Sequence, residues 1–272
     1  MRTIGIIGLG HVGRLLANEL VATAAVDKLV LIDQDDDLAL AVQTDLLDAL
    51  PAMRTQPQII IQDYAALATA QVLVVAVGDS ALTKDDPMAE LTVAGRAVMQ
   101  IAPRVKGSGF HGLVVNLTDP NEAVTAFLQQ QLQLPTKQVL GIGTVLDTAR
   151  LKYLLGRHLE VDSRSVHAII IGEHGDSELP VWSGANISGI ELNHFCELRG
   201  HYSHEDSMKR IYEDVRDSAY QIIERKGATY YGIGMAVARI AESIVKDEQA
   251  VLPVSVELRG EYGLDGLALS IR

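Results

Sequence analysis

Met1-Arg2-Thr3-Ile4-Gly5-Ile6-Ile7-Gly8-Leu9-Gly10-His11-Val12-Gly13-Arg14 is the stretch that decides the fold. The apolar run 4–7 feeds directly into Gly8-x-Gly10-x-x-Gly13, and Val12, Leu15, Leu16 and Leu20 then recur at helical spacing. It reads strand, tight turn, helix. Gly8 permits the sharp turn, Gly10 lets the backbone approach a pyrophosphate, and Gly13 lets the helix pack close on the strand. The N–H groups of the first helical turn face phosphate. Turn chemistry alone is the other reading of such a triplet. A second apolar run, 28–32, ends on Asp33, about 20 residues past the glycines, where a carboxylate accepts from the adenine-ribose hydroxyls. The other reading of Asp33 is a helix N-cap. Asp35, Asp36 and Asp37 follow with no Arg or Lys to pair a 2′-phosphate, which favours NAD over NADP.

Working outward, 37–50 has the spacing of an amphipathic helix stopped by Pro51, and 58–61 reads as a third strand. The run 72–77 is apolar throughout, as in strands buried on both faces of a parallel sheet, and ends on Gly78. A polar loop, 79–86, follows. Helical spacing resumes over 89–105, 112–117 is a fifth strand, 121–132 a helix and 139–142 a sixth strand. Strands alternating with helices make a doubly wound parallel sheet, with its ligand outside the strands' carboxyl ends. Gly78, Thr118, Asp119 and Thr144 fall at that cleft. The expected division is an NAD-binding domain over 1–144 and an α+β substrate domain over 145–272. The second begins with a helix over 145–159 and a strand over 166–171. A strand pair over 180–187, helices near 205–225 and 231–246, and antiparallel strands over 251–258 and 267–271 follow.

With 272 residues, 48% of them hydrophobic, the chain can bury a large core in two lobes. A formal charge of −12 repels nucleic acid and anionic lipid, so a small molecule is the expected partner. One cysteine, Cys196, excludes an internal disulfide and a cysteine zinc cluster, and suits a reducing cytoplasm. No metal is expected. No run approaches the roughly 20 apolar residues of a membrane span, and the first apolar stretch is too short for a signal peptide.

Asp147 and Arg150 leave one face of the helix that starts where the sixth strand ends. A surface ion pair is one reading. A guanidinium that holds a substrate carboxylate bidentately is the other. His174 sits in a glycine-flanked loop at a strand end, among acidic neighbours able to raise its pKa. It is one of eight histidines, most of which belong on the surface, and its position makes it a candidate general acid/base.

Gly8-Leu9-Gly10-His11-Val12-Gly13, Leu146-Asp147-Thr148-Ala149-Arg150, Ser165-Val166-His167-Ala168, Gly172-Glu173-His174-Gly175-Asp176-Ser177-Glu178 and Pro180-Val181-Trp182-Ser183-Gly184 resemble the L-lactate dehydrogenase family, which includes the L-2-hydroxyisocaproate dehydrogenases. The resemblance runs through nearly the whole chain. It implies that His174 is the acid/base, Asp147 its orienting carboxylate and Arg150 the clamp on the substrate carboxylate, with Asp119 and Thr229 lining the substrate site. It implies NAD on Gly8, Gly10, Val12, Gly13, Asp33, Tyr64, Gly78, Asp119 and Thr144, pyruvate and L-lactate as the default pair, and a homotetramer or dimer.

Three departures qualify the likeness. The family's Ser-Asn-Pro is Thr118-Asp119-Pro120 here, which sets a carboxylate near an anionic substrate. The positions that bind fructose 1,6-bisphosphate in many bacterial members are Lys152 and His167, and lysine cannot fork onto phosphate, so a weak response or none is expected. The family's carbonyl-polarising arginine has no counterpart between Gly78 and Arg96. The approach 85–90 is too short to carry one across a cleft. Residues missing between Asp85 and Leu91, and a further strand and helix after Arg272, are the expectation. Ala81, Leu82 and Met88 make that loop partly apolar and admit 2-oxoisocaproate as an alternative substrate, whereas Lys84 alone does not supply the second arginine of a malate site. A non-catalytic NAD-binding protein is the reading from another class.

Overall fold

The computed structural model describes residues 1–78, 87–201 and 204–271. The loop with Ala81, Leu82, Lys84 and the start of the 85–91 approach therefore lies outside the described residues, as does the Met88 side chain. By contacts the chain forms two bodies. The first is Met1–Ile142 with Tyr230–Val251 and Ser255–Ala268, and the second is Gly143–Thr229 with Leu252–Val254 and Leu269–Arg272.

In the first body, β1 (Thr3–Ile7) is buried at all five residues. It turns through Gly8 into α1 (His11–Ala22), which buries Gly13, Leu16, Ala17, Leu20 and Val21. Gly8 has φ +99°, and a Cβ there would sit 2.2 Å from the Ala76 carbonyl oxygen. At Gly13 a Cβ would stand 1.9 Å from the Gly8 carbonyl oxygen, so only glycine lets the helix start this close to the strand. Next come β2 (Lys28–Ile32), α2 (Asp36–Ala49), β3 (Gln58–Ile61) and β4 (Val72–Val75). After residues 79–86, α3 (Pro87–Gly107), β5 (Leu113–Asn116), α4 (Asn121–Leu132) and β6 (Val139–Gly141) complete the alternation.

β1 pairs in parallel with β2 on one side and β4 on the other, β3 lies outside β2, and β5 and β6 extend beyond β4. The order reverses between β1 and β4, so this switch point sets the Gly8–Gly13 turn and Gly78 at the carboxyl ends, where doubly wound sheets bind ligands. Val30, Leu73, Val75, Val98, Val114 and Leu128 pack in the core beneath it. Each fully buried side chain of this kind contributes roughly 1.5–3 kcal/mol.

The second body opens with α5 (Val145–Leu159). The continuous strand expected over 166–171 is instead two short ones, β7 (Val166–His167) and β8 (Ile170–Ile171), in different sheets. β8 pairs with β9 (Leu179–Pro180). β7 pairs with β10 (Asn186–Ile187), which also pairs with β11 (Ile190–Glu191). The break goes with contacts from earlier in the chain: the Thr148 hydroxyl accepts from the Ile170 N–H at 2.9 Å, and the Thr144 hydroxyl donates to the Ile170 carbonyl at 2.6 Å. Side chains from the start of α5 take both backbone groups that a continuing ladder would use. The pair expected over 180–187 is broken by a 3-10 turn, Trp182–Gly184.

α6 (Leu192–Leu198) is capped by the Glu191 carboxylate, which accepts from the Asn193 and His194 N–H groups. α7 (His204–Lys226) follows. Leu151 and Leu155 are interior to this body, with Leu154 packed against its core, so these residues serve packing.

α8 (Tyr231–Val245), β12 (Val254–Arg259) and β13 (Asp265–Ile271) were expected in the second domain by chain position. By contacts they belong mainly to the first body. α8 presents Gly234 to Leu15 of α1, where a Cβ would come within 2.9 Å, and β12 adds antiparallel to β6 through Ser255 and Gly141. Hydrophobic periodicity reports that a segment is buried and is silent on which neighbour buries it. Among the described residues no helix is long and apolar enough to cross a membrane.

Candidate active site

Of the cofactor residues expected in the first body, Gly8, Gly10, Gly13 and Asp33 lie at the turns after β1 and β2. Asp33 Oδ2 accepts from the Leu9 N–H at 2.6 Å and Oδ1 from the Asp35 N–H at 3.0 Å, tying the turns after β1 and β2 together. It is not the cap of α2: that role falls to Asp35, whose side chain accepts from Leu38 N–H. An ideal Cβ on Gly10 would meet nothing within 4 Å, so the helix start is open to a diphosphate. This combination fits a dinucleotide. Val12 is half-buried in the first turn of α1. Tyr64 is half-buried with the Arg104 guanidinium 3.9 Å over its ring. Burial pushes its phenol up. Gly78, at φ +136°, closes β4's exit.

Asn116, fully buried, builds the neighbouring loop. Its amide donates to the carbonyls of Thr118 and Asn121 and to the Thr125 hydroxyl, all within 3.1 Å. This network positions Thr118-Asp119-Pro120. Burial and then the charge of Asp119 push the Glu90 carboxyl of α3 up to about 7, a neighbour that sequence reasoning missed because it comes from another helix.

In the second body, Asp147 is 2% exposed in the first turn of α5. Its Oδ1 accepts from Arg150 Nη1 at 2.8 Å, and its Oδ2 lies 2.6 Å from His174 Nδ1. Burial works to raise the Asp147 carboxyl. The His174 hydrogen bond and charge, with the charge of Arg150, outweigh it and hold Asp147 below the usual carboxylate range. The Arg150 side chain is 14% exposed, which sets the surface-pair reading aside. Losing one partner of such a buried pair costs about 3–5 kcal/mol. The threonine pins on Ile170 bring the His174 loop to α5.

Thr144 is fully buried and its hydroxyl is spent on Ile170. Its N–H donates to Ser270 Oγ at 3.0 Å. Thr229 is half-buried between α7 and α8, Lys152 half-buried on α5, and His167 exposed on β7. Glu178, 2% exposed, was quoted in the motif without a role. One oxygen of its carboxyl lies within 4.8 Å of ligating atoms of both Asp147 and His174.

A parallel dinucleotide-binding sheet, together with a buried carboxylate bridging an imidazole and a guanidinium, defines a nicotinamide-dependent dehydrogenase of small carboxylic acids. Residues 2–141 match the model of the lactate/malate dehydrogenase NAD-binding domain and residues 144–271 that of the lactate/malate dehydrogenase alpha/beta C-terminal domain. The chain belongs to this family. It is 38% identical to an L-lactate dehydrogenase of Priestia megaterium, over 99% of this chain and 84% of that one. An L-lactate dehydrogenase of Salinibacter ruber is also 38% identical, over 99% and 85% of the two chains. The solved minor L-lactate dehydrogenase from Enterococcus mundtii superposes with TM-score 0.94 at 34% identity, over 99% and 86%. A lactate dehydrogenase from a Medee basin deep-sea metagenome library gives 0.95 at 34% identity, over 100% and 87%.

Proposed function

We propose that this chain interconverts pyruvate and L-lactate with NAD as cofactor. The single observation that supports the reading is the Asp147 bridge, one buried carboxylate that binds His174 Nδ1 and Arg150 Nη1 through different oxygens. The roles are proposals on that geometry. Gly8, Gly10, Val12, Gly13, Asp33, Tyr64, Gly78 and Asp119 would hold NAD, whose reduced form would supply the hydride for the 2-carbonyl carbon, while Thr144, with its hydroxyl spent on Ile170, would act only through the backbone it braces. Arg150 grips the substrate carboxylate. The bond at Nδ1 assigns proton transfer to His174 Nε2, which gives its proton to the carbonyl oxygen in reduction and takes the hydroxyl proton in oxidation. Asp147 keeps the ring oriented and stabilises the imidazolium. Thr229 and Asp119 border the acid. By function we keep the division into 1–144 for NAD and 145–272 for the acid, in a cytoplasmic enzyme.

The test is NADH oxidation with pyruvate, 2-oxoisocaproate and oxaloacetate. Pyruvate is expected to be the best substrate, and NADPH is expected to be a poor replacement because Asp33 repels a 2′-phosphate. Failure to turn over any of the three at millimolar concentration overturns the reading. Equal rates with NADPH overturn the ribose-site argument. We also propose a homotetramer or dimer, with Lys152 and His167 giving little response to fructose 1,6-bisphosphate. Light scattering that shows a monomer under assay conditions contradicts the assembly.

A further inference from the structure

Glu178 is buried against the catalytic pair, and the roles proposed above leave it unused. Its buried Oε1 has no hydrogen-bond partner among the described residues, and one oxygen of its carboxyl lies within 4.8 Å of a carboxylate oxygen of Asp147 and a ring nitrogen of His174. What it faces is another carboxyl, that of Asp147, which is itself a hydrogen-bond acceptor. A hydrogen bond between two carboxyls requires a proton on one of them, since two carboxylates have no hydrogen to share. Asp147 already receives Arg150 and His174, the two cationic groups of the site, so the proton belongs on Glu178. We propose that Glu178 is a positioning residue of the catalytic pair, held as a neutral acid whose O–H donates to Asp147 and fixes the carboxylate that orients His174.

The surroundings support this. Asp147 and Arg150 face Glu178 from α5, and His174 faces it from the loop after β8. From α7, Tyr212 donates its hydroxyl to the Glu178 carbonyl at 2.5 Å, with Arg216 and Asp176 near that phenol. Burial, then the charge of Asp147, push the Glu178 carboxyl up to about 8, ahead of the opposing effects of His174 and Arg150. The sign follows. Between the ordinary carboxylate range and about 8 the unfolded chain has lost a proton that the folded chain keeps, so stability falls as pH rises through this window. Above it, ionised Glu178 sets a second negative charge beside Asp147 and drains the pull of Arg150 on an anionic substrate.

The inference rests on the dehydrogenase reading, and the experiment separates the two. In the full chain, Glu178→Gln keeps a donor without a titrating proton, and Glu178→Leu removes the donor at similar volume. The His174 ring is followed by NMR in the absence of substrate. Its resonance is expected to show its own titration and a second inflection near the Glu178 value of about 8, absent in Glu178→Gln. With pyruvate and NADH at pH 6.5, Glu178→Gln is expected to lose no more than about threefold in kcat, whereas Glu178→Leu loses about tenfold or more. Thermal unfolding of the wild type is expected to weaken from pH 5 to pH 8.5 relative to Glu178→Gln.

A single inflection in the wild type, a fall of about one unit or more in the His174 midpoint on Glu178→Gln, or a Glu178→Leu enzyme within about twofold of wild type would each overturn the proposal. If Glu178→Leu fails to fold, the Glu178→Gln titration decides alone. A wild type that turns over no 2-oxo acid sinks the dehydrogenase reading while the NMR inflection still decides Glu178.

Discussion

Replacing His174 with Asn is expected to lower kcat for pyruvate reduction by ~10²-fold or more, the usual contribution of a general acid, while leaving NADH binding intact. The substitution keeps a polar amide near Asp147 but removes the imidazole that passes the proton to the substrate. Nδ1 lies 2.6 Å from Asp147 Oδ2, so the ring is held by its far nitrogen and the proton leaves from the near one. Steady-state kinetics with NADH fluorescence titration as the control measures the two effects separately. A non-catalytic NAD-binding protein would lose nothing, so an unchanged rate in a wild type that does turn over would remove His174 from the chemistry. Asp147→Asn should act in the same direction through misorientation of the ring, and its loss should not exceed that of His174→Asn, because both act on one proton transfer and such effects do not add.

Much of the chain was legible because its signals are local. The glycine turn, the strand over 28–32 ending on Asp33, and the strand and helix boundaries at 58–61, 121–132 and 145–159 each follow from a few adjacent residues, and the structure has strands at Lys28–Ile32 and Gln58–Ile61 and helices at Asn121–Leu132 and Val145–Leu159. The Asp147–Arg150 spacing likewise implied one helix face, and the two side chains meet. What escaped was non-local. Whether the residues 166–171 continue as one strand depends on Thr144 and Thr148, far back in the sequence, taking the Ile170 backbone groups. The seven-residue α6 is too short to show helical periodicity. Glu178 follows His174 closely in the chain, yet its importance comes from its burial beside Asp147, which no spacing rule states. α8 carries an apolar face that suits any partner, and only the small-residue contact at Gly234 selects α1.

Replacing Arg150 with Lys is expected to cut kcat/KM for pyruvate by roughly 30- to 4,000-fold, the equivalent of the 2–5 kcal/mol at stake when a buried, hydrogen-bonded charge pair is disrupted. Lysine keeps the positive charge that helps hold Asp147 below the usual carboxylate range, so the body should fold. It cannot present two parallel N–H bonds to a carboxylate. The loss should therefore fall on substrate recognition, with KM rising as well as kcat falling. Two roles are combined in this side chain, however, because Arg150 Nη1 also donates to Asp147 at 2.8 Å. Methyl pyruvate separates them, since the ester carries the reacting carbonyl and no carboxylate. If the guanidinium grips the acid, Arg150→Lys loses its activity on pyruvate and changes little on the ester. If its task is only to brace Asp147, both substrates lose alike, and the carboxylate clamp must then be sought in another residue.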